Sequence, residues 1–413
     1  MANSPKPTAR RLSWDVIRVV AVLSVVLGHI THQSKIMHPE LAGYPFTVPV
    51  QFGATILLVI SAFFMCATLR KDKPGRWLLK KVSRVLPGYL VAVLITYVMM
   101  RIAAAAFSGQ QLHSGFTGFM FDPAIGAPTT DSPWYLPNGL DLYSNIFMIQ
   151  SWSTDFNYLD GSYWTLPVQI MAFTAAALLF PRKWRTDKTM VVLIWAMLAV
   201  PLAIRFVIFT PTDTPSWAVT MIFGLGLHRV HAFAIGIAIY LWTKNRLKTW
   251  HLAAFLTASV VAQDLHMFPL HYATAIDPER LPSVAGFAVM LLAMCAAAKG
   301  PDWTWFRPLA RPIKWLAGIS FGLYLVHQEL GYMLARALRD LGATPWERLV
   351  LVLAAAIVAG WLLTVLVERP AYRLLTREHK AAPLALPHPS PPVDDLVEGH
   401  AKTASPISVG GPS

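Results

Sequence analysis

Apolar runs long enough to cross a lipid bilayer recur along most of the chain. A transmembrane helix needs about 20 apolar residues to span the hydrocarbon core. The segments that fit are 13–31, 52–69, 85–107, 163–181, 189–208, 218–242, 250–265, 283–298, 314–335 and 347–368. This pattern predicts an all-α membrane protein with about ten transmembrane helices.

The positions of lysine and arginine predict how these helices are oriented. Both residue types cluster in alternate connections between the apolar runs, and neither occurs from 102 to 181. Cytoplasmic connections carry the excess of positive charge in membrane proteins. We therefore expect both termini to be cytoplasmic and the segment 108–162 to be a long outer loop. Residues 1–380 would form one membrane domain, and the stretch 381–413, rich in proline, serine and glycine, would be a disordered cytoplasmic tail.

Composition agrees with a multi-pass protein of the cell membrane. The chain has 413 residues, of which 55% are hydrophobic and 14% charged, and its mean hydropathy is +0.48. The net charge of +13 could suggest a nucleic-acid partner, but the cations lie in short connections rather than on one face. We expect the lipid bilayer, and no nucleic acid, as a partner. Cys66 and Cys295 both fall within apolar spans, and neither a disulfide framework nor a metal site is expected.

The first apolar stretch, Leu12–Gln33, contains the ionisable residues Asp15, Arg18 and His29. A helix turns about 100° per residue, so eleven residues return the chain to nearly the same face. Arg18 and His29 should therefore face the same way, roughly 16 Å apart along the axis. Ionisable groups in a transmembrane helix usually face the bundle interior or a water-filled cavity. In the alternative, Arg18 reaches the cytoplasmic surface and His29 lies at the opposite interface.

Seven short segments follow one another along the chain: LSWDVIRVVAVLSVVLGH with its Arg-x10-His spacing, FGATILLVISAFFMCATLRK, KKVSRVLPGYL, GSYWTLPVQI, RVHAFAIGIAIY, GISFGLYLVHQ and VERPAYRLL. In this order they resemble acyltransferase family 3, integral-membrane enzymes that O-acylate carbohydrates and natural products. Four positions depart from the family pattern. Lys81 replaces an arginine, Gln169 a glutamate, Ala62 a glycine and Phe321 a tyrosine. Gln169 cannot act as a base, so a role that the family gives to that glutamate is in question here.

The resemblance implies that an acyl group, most commonly acetyl, moves from cytoplasmic acyl-CoA to a hydroxyl of a carbohydrate, glycolipid or secreted natural product. Acyl-CoA would be a co-substrate, with no bound cofactor and no metal. An alcohol attacks a thioester efficiently only when a base removes its proton, and histidine suits that task. We predict that His29 is this base and that Arg18 holds an anionic or carbonyl part of the donor. Lys81 and Arg84 would bind the CoA phosphates.

Four further residues are possible members of a cavity: Asp15, Arg229, His327 and Glu329. Asp15 could orient Arg18, or it could simply be an acidic residue at a helix N-terminus. His327 and Glu329 could position a substrate, or they could form a structural polar contact between helices. Arg229 could pair with a carboxylate or line the cavity.

Two other functions are compatible with buried ionisable residues in many spans. One is a transporter or flippase with an intramembrane proton relay. The other is a membrane sensor or scaffold without catalysis. An acyltransferase should consume acyl-CoA and release CoA in detergent, whereas neither alternative should do so.

Overall fold

The structure is a computed structural model that describes residues 11–69, 71–130, 133–179, 186–208, 216–267 and 279–376. The predicted tail at 381–413 lies outside the described residues. Within the described ranges the regular structure is helical, apart from one isolated bridge between Gln111 and Ile125. The all-α prediction is therefore confirmed for this part of the chain.

Sixteen α-helices are present in the described ranges: α1 Leu12–Gly28, α2 Ser34–Met37, α3 Gly53–Thr68, α4 Pro74–Ser108, α5 Gly115–Phe121, α6 Gly139–Ile146, α7 Thr165–Leu179, α8 Asp187–Ile208, α9 Ser216–Gly224, α10 Val230–Thr243, α11 Thr249–Met267, α12 Arg280–Lys299, α13 Ala310–Val326, α14 Glu329–Asp340, α15 Pro345–Leu363 and α16 Arg369–Thr376. The tighter 3₁₀ turns are Pro39–Leu41, Gly161–Trp164, Leu227–Arg229 and Thr304–Leu309. Two wider π turns, His29–Gln33 and Thr364–Glu368, continue α1 and α15.

Six helical segments in the described ranges are long and apolar enough to cross a membrane. They are Leu12–Met37, Pro74–Ser108, Gly161–Leu179, Asp187–Phe206, Arg280–Lys299 and Pro345–Thr376. The pair Ser216–Gly224 and Leu227–Thr243 adds a seventh if its 49° bend lies within one span. A multi-pass helical protein is thus confirmed, while the count of ten and the orientation of the termini stay predictions.

Two of the predicted spans are not single continuous helices in the structure. The span 218–242 is interrupted around Gly226, which has a φ of +62° and packs against the side chain of Val168. The span 314–335 ends at Val326 as α13, and the chain restarts as the amphipathic helix α14. Both interruptions free backbone groups and turn side chains away from regular helical directions.

Helix α1 lies between two hydrophobic clusters. Trp14, Ile17 and Ala21 belong to the cluster formed with residues of α3, α8 and α10 to α12. Val22 and Val26 belong to the cluster formed with residues of α4 and α13 to α15. Burying apolar area on both sides of one helix stabilises its position, so α1 holds the two halves of the bundle together.

Close approach of helix backbones depends on a few glycines. A Cβ on Gly53 would overlap the carbonyl oxygen of Ala21, where α3 begins beside α1. A Cβ on Gly322 would overlap the carbonyl oxygen of Gly360, where α13 crosses α15. Small residues at such crossings allow tight helix packing in membrane proteins. Larger side chains at these positions would therefore push apart helices that border the site.

The N-terminus of α1 is fixed by the connection between α12 and α13. The Asp302 carboxylate accepts hydrogen bonds from the backbone amides of Leu12 at 3.1 Å and Ser13 at 2.9 Å. Burial opposes the charge of this carboxylate, but the amides of Ser13 and Leu12 outweigh burial and lower the pKa of Asp302. Two of the backbone donors that a helix start leaves unpaired are thereby satisfied.

The segment 108–162 contains two short helices and is held by internal hydrogen bonds. The buried guanidinium of Arg101 donates to the carbonyl oxygens of Phe119, Pro137 and Asp122, the last two at 2.6 Å. Within the segment, Asp141 accepts hydrogen bonds from the Tyr135 hydroxyl and from a backbone amide. At this pair, an aromatic residue and a carboxylate stabilise the fold of the segment.

Candidate active site

A cavity of about 430 Å³ lies beside the π turn that continues α1. We call it the His29 cavity. Its polar and aromatic lining comes from seven parts of the chain and includes His29, His32, Gln33, Gln51, Tyr158, Trp164, Arg205, His228, Arg229, Gln263, His266, Gln328 and Glu329. π turns inside helices often occur at functional sites because they re-aim side chains. Here the turn begins at His29 itself.

His29 is directly hydrogen-bonded to His327. The His29 Nδ1 and His327 Nε2 atoms are 2.9 Å apart, and the His327 Nδ1 atom is 2.8 Å from the carbonyl oxygen of Tyr324. A carbonyl oxygen can only accept, so His327 Nδ1 carries the hydrogen and His327 Nε2 accepts from His29 Nδ1. In a neutral His29 this assignment leaves Nε2 without a hydrogen. That nitrogen can accept a proton.

The position of His327 is fixed by the turn Gly161–Trp164. The Tyr324 hydroxyl donates to the carbonyl oxygen of Ser162 at 2.9 Å, and the Tyr163 hydroxyl donates to the carbonyl oxygen of Leu325 at 3.2 Å. Fully buried Asp160 accepts from the backbone amide of Glu329 at 3.0 Å, at the first residue of α14. The helix break at His327 is thus held by hydrogen bonds from the end of the predicted outer loop.

A second cavity, of about 650 Å³, lies along the N-terminal half of α1. We call it the Arg18 cavity. It is lined by Asp15 and Arg18 of α1, by Lys81 and Arg84 of α4, and by Gln169 of α7. Residues three apart on a helix share a face, which is why both pairs point into the same space. The structure therefore brings the two predicted donor-binding residues together with Arg18.

The cationic residues near the start of α4 differ in whether they line the Arg18 cavity. The Lys81 ammonium lies 5.5 Å from the ring centres of both Trp77 and Phe173, a geometry typical of cation–π contacts. Lys80, by contrast, pairs with Asp72 at 2.8 Å and does not line the cavity. A general excess of positive charge at the membrane surface would not make this distinction.

Ala54, near the start of α3, lines both cavities. Arg18 and His29 line different cavities, although the helical spacing predicted a common face. Ala54, whose side chain is small, is a lining residue of both. His327 contacts His29, and Arg229 and Glu329 line the His29 cavity. Asp15 lines the Arg18 cavity.

Residues 11–365 match a family model described as an acyltransferase domain, that of acyltransferase family 3. The chain belongs to acyltransferase family 3. Comparison with curated proteins gave no match, and neither did comparison with solved structures. Membership confirms the resemblance found in the sequence and, with the apolar helices, identifies a multi-pass membrane acyltransferase.

The departure from the family pattern at Gln169 has a structural counterpart. The Gln169 side-chain amide donates to the Ser61 hydroxyl at 2.7 Å, across α7 and α3. In this member of acyltransferase family 3, a neutral hydrogen bond thus occupies the position at which the family pattern has a carboxylate. The Ser61 hydroxyl accepts this hydrogen bond and thereby joins α3 to α7.

Several residues of the site were not singled out from the sequence. His228 and His266 line the His29 cavity, and Asp160 supports the break at His327. His228 is next to Arg229 in the family segment, and Asp160 directly precedes the GSYWTLPVQI segment. Their positions beside these segments could have identified both as candidate site residues. His266 had no comparable signal, because it lies at the end of a span with no family motif.

Proposed function

We propose that this acyltransferase moves an acyl group, with acetyl the expected one, from cytoplasmic acyl-CoA to a hydroxyl of a carbohydrate, glycolipid or secreted natural product at the cell membrane. His29 is the general base. The hydrogen-bonded series from His29 through His327 to the Tyr324 carbonyl oxygen carries this proposal. It fixes the imidazole and leaves Nε2 as the proton acceptor.

The proposed reaction is a direct transfer without an acyl-enzyme. The acceptor hydroxyl gives its proton to His29 Nε2 as its oxygen attacks the thioester carbonyl carbon. The new C–O bond forms, the C–S bond breaks, and the CoA thiolate leaves. The proton held by His29 passes to that thiolate, which returns the histidine to its neutral state and yields free CoA and the ester.

The Arg18 cavity supports the donor side of the proposal. Its lining has four cationic side chains, those of Arg11, Arg18, Lys81 and Arg84, against the single carboxyl of Asp15. CoA carries several phosphates, and charge-assisted hydrogen bonds from such cations are the strong ones. The thioester would then reach the boundary at Ala54, where the acceptor hydroxyl beside His29 can attack it. No bound cofactor or metal takes part in this scheme.

The experiment that tests the proposal measures acyl-CoA consumption and CoA release by the purified chain in detergent. Wild type should release CoA only when a hydroxylated acceptor is present. His29→Ala should lower the rate by about 10²- to 10⁴-fold, the usual contribution of a general base. The matched control is His251→Ala, which removes a histidine that accepts from Trp195 at 2.8 Å and lines neither cavity.

Mass spectrometry of glycans, lipids and secreted metabolites from expressing cells identifies the acceptor in parallel. We expect a product one acyl group heavier with wild type and His251→Ala, and none with His29→Ala at equal abundance. Near-normal CoA release by His29→Ala would refute the general-base role. Absence of CoA release from wild type with every acceptor class would instead favour the transporter.

A further inference from the structure

One wall of the His29 cavity, formed by α8, the turn before α10 and α11, is rich in basic side chains. It contains Arg205 of α8, His228 and Arg229 of the turn before α10, and His266 of α11. In the predicted orientation these residues lie toward the outer side. The tendency of positive residues to remain cytoplasmic does not account for them there, and ionisable residues within membrane spans are usually functional.

Arg229 is the central cation of this wall. Its guanidinium carbon lies 4.8 Å from the ring centre of Trp164, which also lines the cavity. Its buried Nε atom has no hydrogen-bond partner among the described residues. A buried donor without a partner is costly, and a guanidinium is matched best by a carboxylate or phosphate. The unfilled donor therefore indicates an anionic ligand.

The second cation and the histidines extend the same wall. Arg205 donates to the carbonyl oxygen of His266 at 3.4 Å, which ties α8 to α11. His266 stacks on His231, with ring centres 4.9 Å apart, and neither of its buried ring nitrogens has a hydrogen-bond partner in the described part of the chain. His231 in turn donates through Nε2 to the Gln263 side-chain oxygen at 2.9 Å. His266 thus has hydrogen-bonding capacity available to a ligand.

No three histidine, cysteine, aspartate or glutamate side chains within the described ranges could together hold a metal ion. The ligand that matches this wall is therefore sought among anions. Glu329, the first residue of α14, supplies the carboxyl that lines the same cavity. Two arginines against one carboxyl give the lining a positive balance, which attracts an anion and leaves a carboxyl to accept hydrogen bonds from sugar hydroxyls.

We infer that the His29 cavity binds an acceptor that carries an anionic group, a carboxylate or a phosphate, as well as the hydroxyl that is acylated. This inference rests on the proposed function and narrows its substrate class to acidic or phosphorylated sugars. Arg229 and Arg205 hold the anion, and the acceptor hydroxyl lies at His29. The cavity volume, about 430 Å³, is within the usual range for small-molecule sites.

The first test measures binding without turnover, by titration calorimetry of the full chain in detergent. The probes are methyl β-D-glucuronide, glucose 1-phosphate and the neutral methyl β-D-glucoside. Wild type should bind at least one anionic sugar about ten- to a hundredfold more tightly than the neutral one, as expected for charge-assisted hydrogen bonds. Comparison of the glucuronide with the phosphate tells which anion the wall prefers. Equal affinity for all three sugars would overturn the inference.

The matched variants are Arg229→Gln, Arg229→Lys and Arg339→Gln. Arg229→Gln should abolish the preference for the anionic sugar, and Arg229→Lys should keep part of it. Arg339→Gln removes an exposed arginine that lies outside the cavity and should change nothing. If Arg229→Gln does not fold, Arg205→Gln and His266→Phe carry the same test. An unchanged preference in every folded variant of the wall would overturn the inference.

The second test uses turnover to separate this inference from the proposed function. Arg229→Gln should raise the KM for an anionic acceptor about tenfold or more and leave the KM for acyl-CoA unchanged. A rise in the KM for acyl-CoA alone would mean that the anion at this wall belongs to CoA. Transfer to neutral acceptors with no preference for anions would leave the proposed function intact and refute the inference. Anion binding without any CoA release would support an anion site in the cavity and refute the proposed acyltransferase reaction.

Discussion

The two cavities of this acyltransferase differ in how their polar groups are held. Around the Arg18 cavity, Arg18, Lys81 and Arg84 lie within the regular helices α1 and α4. Around the His29 cavity, some ionisable residues also lie on regular helices, but the groups that the proposed reaction uses lie at interruptions: a π turn at His29, a 3₁₀ turn at Arg229 and the break after His327. Regular helices can present a charged surface for a flexible donor, whereas interruptions set single groups at fixed angles, as acid–base chemistry requires.

Ala54 offers the strongest way to break this arrangement, because it lines both cavities. Ala54→Phe should obstruct the boundary and lower kcat by more than about hundredfold, since a displacement near 1 Å can have that effect. Acyl-CoA and acceptor should still bind. The measurement is kcat alongside separate affinities for the two substrates, with Ala54→Ser as the control of similar size. Full activity in Ala54→Phe would mean that the substrates do not meet there.

Removal of the cations from the Arg18 cavity should affect only the donor. Lys81→Ala combined with Arg84→Ala should raise the KM for acyl-CoA about ten- to a hundredfold, because charge-assisted hydrogen bonds to phosphate are lost. The KM for the acceptor should not change. Lys80→Ala is the control, since Lys80 is near in sequence but pairs with Asp72 instead of lining the cavity. An equal rise in the KM for acyl-CoA with Lys80→Ala would mean that general surface charge, and not a specific site in the cavity, binds the donor.

His327 should act as a positioning residue. His327→Phe removes the acceptor for His29 Nδ1, and one hydrogen bond contributes about 1 kcal/mol, so kcat should fall about fivefold. Both KM values should stay the same. His327→Gln should restore part of the rate, because its side-chain oxygen can accept from His29. A change in KM without a change in kcat, or no rescue by glutamine, would contradict this role.

The smallest effect is expected at the departure from the family pattern. In Gln169→Glu the Ser61 hydroxyl can donate where it now accepts at 2.7 Å, so the contact survives with its direction reversed. We expect kcat/KM for acyl-CoA to change by less than about threefold, since a partly exposed charge has a modest effect. Steady-state kinetics check this. A large gain in activity would mean that a carboxylate at this position has a catalytic role that glutamine lacks.

The same difference between the cavities explains how much could be predicted from the sequence. Asp15 and Arg18 are one turn apart, as are Lys81 and Arg84, and each pair lines the Arg18 cavity. Lys81 and Arg84 were predicted from the family resemblance, and their helical spacing explains why they lie together. The periodicity also indicated that Arg18 and His29 both face the interior, but it could not separate two cavities along one helix. Volume between helices depends on how the helices pack, which no local pattern contains.

The His29 cavity was predicted only in part. The family segments pointed to His29, Arg229 and His327. The apolar run 314–335 predicted one span and gave no sign of the break at His327, the residue that contacts His29. Asp160 supports that break from more than 160 positions earlier in the chain. Arg101 likewise holds the segment 108–162 through carbonyl oxygens that carry no sequence signal. Long-range hydrogen bonds to the backbone are the part of this fold that spacing does not predict.

The central claim is that donor and acceptor enter separate cavities that meet at Ala54. The most direct measurement is a cryo-electron microscopy structure of the full chain with a thioether analogue of acetyl-CoA, which cannot transfer its acyl group. We predict density for the nucleotide phosphates beside Lys81 and Arg84, and the acyl end at Ala54 facing His29. Nucleotide density in the His29 cavity, against Arg205 and Arg229, would contradict both the assignment of the cavities and the anionic acceptor.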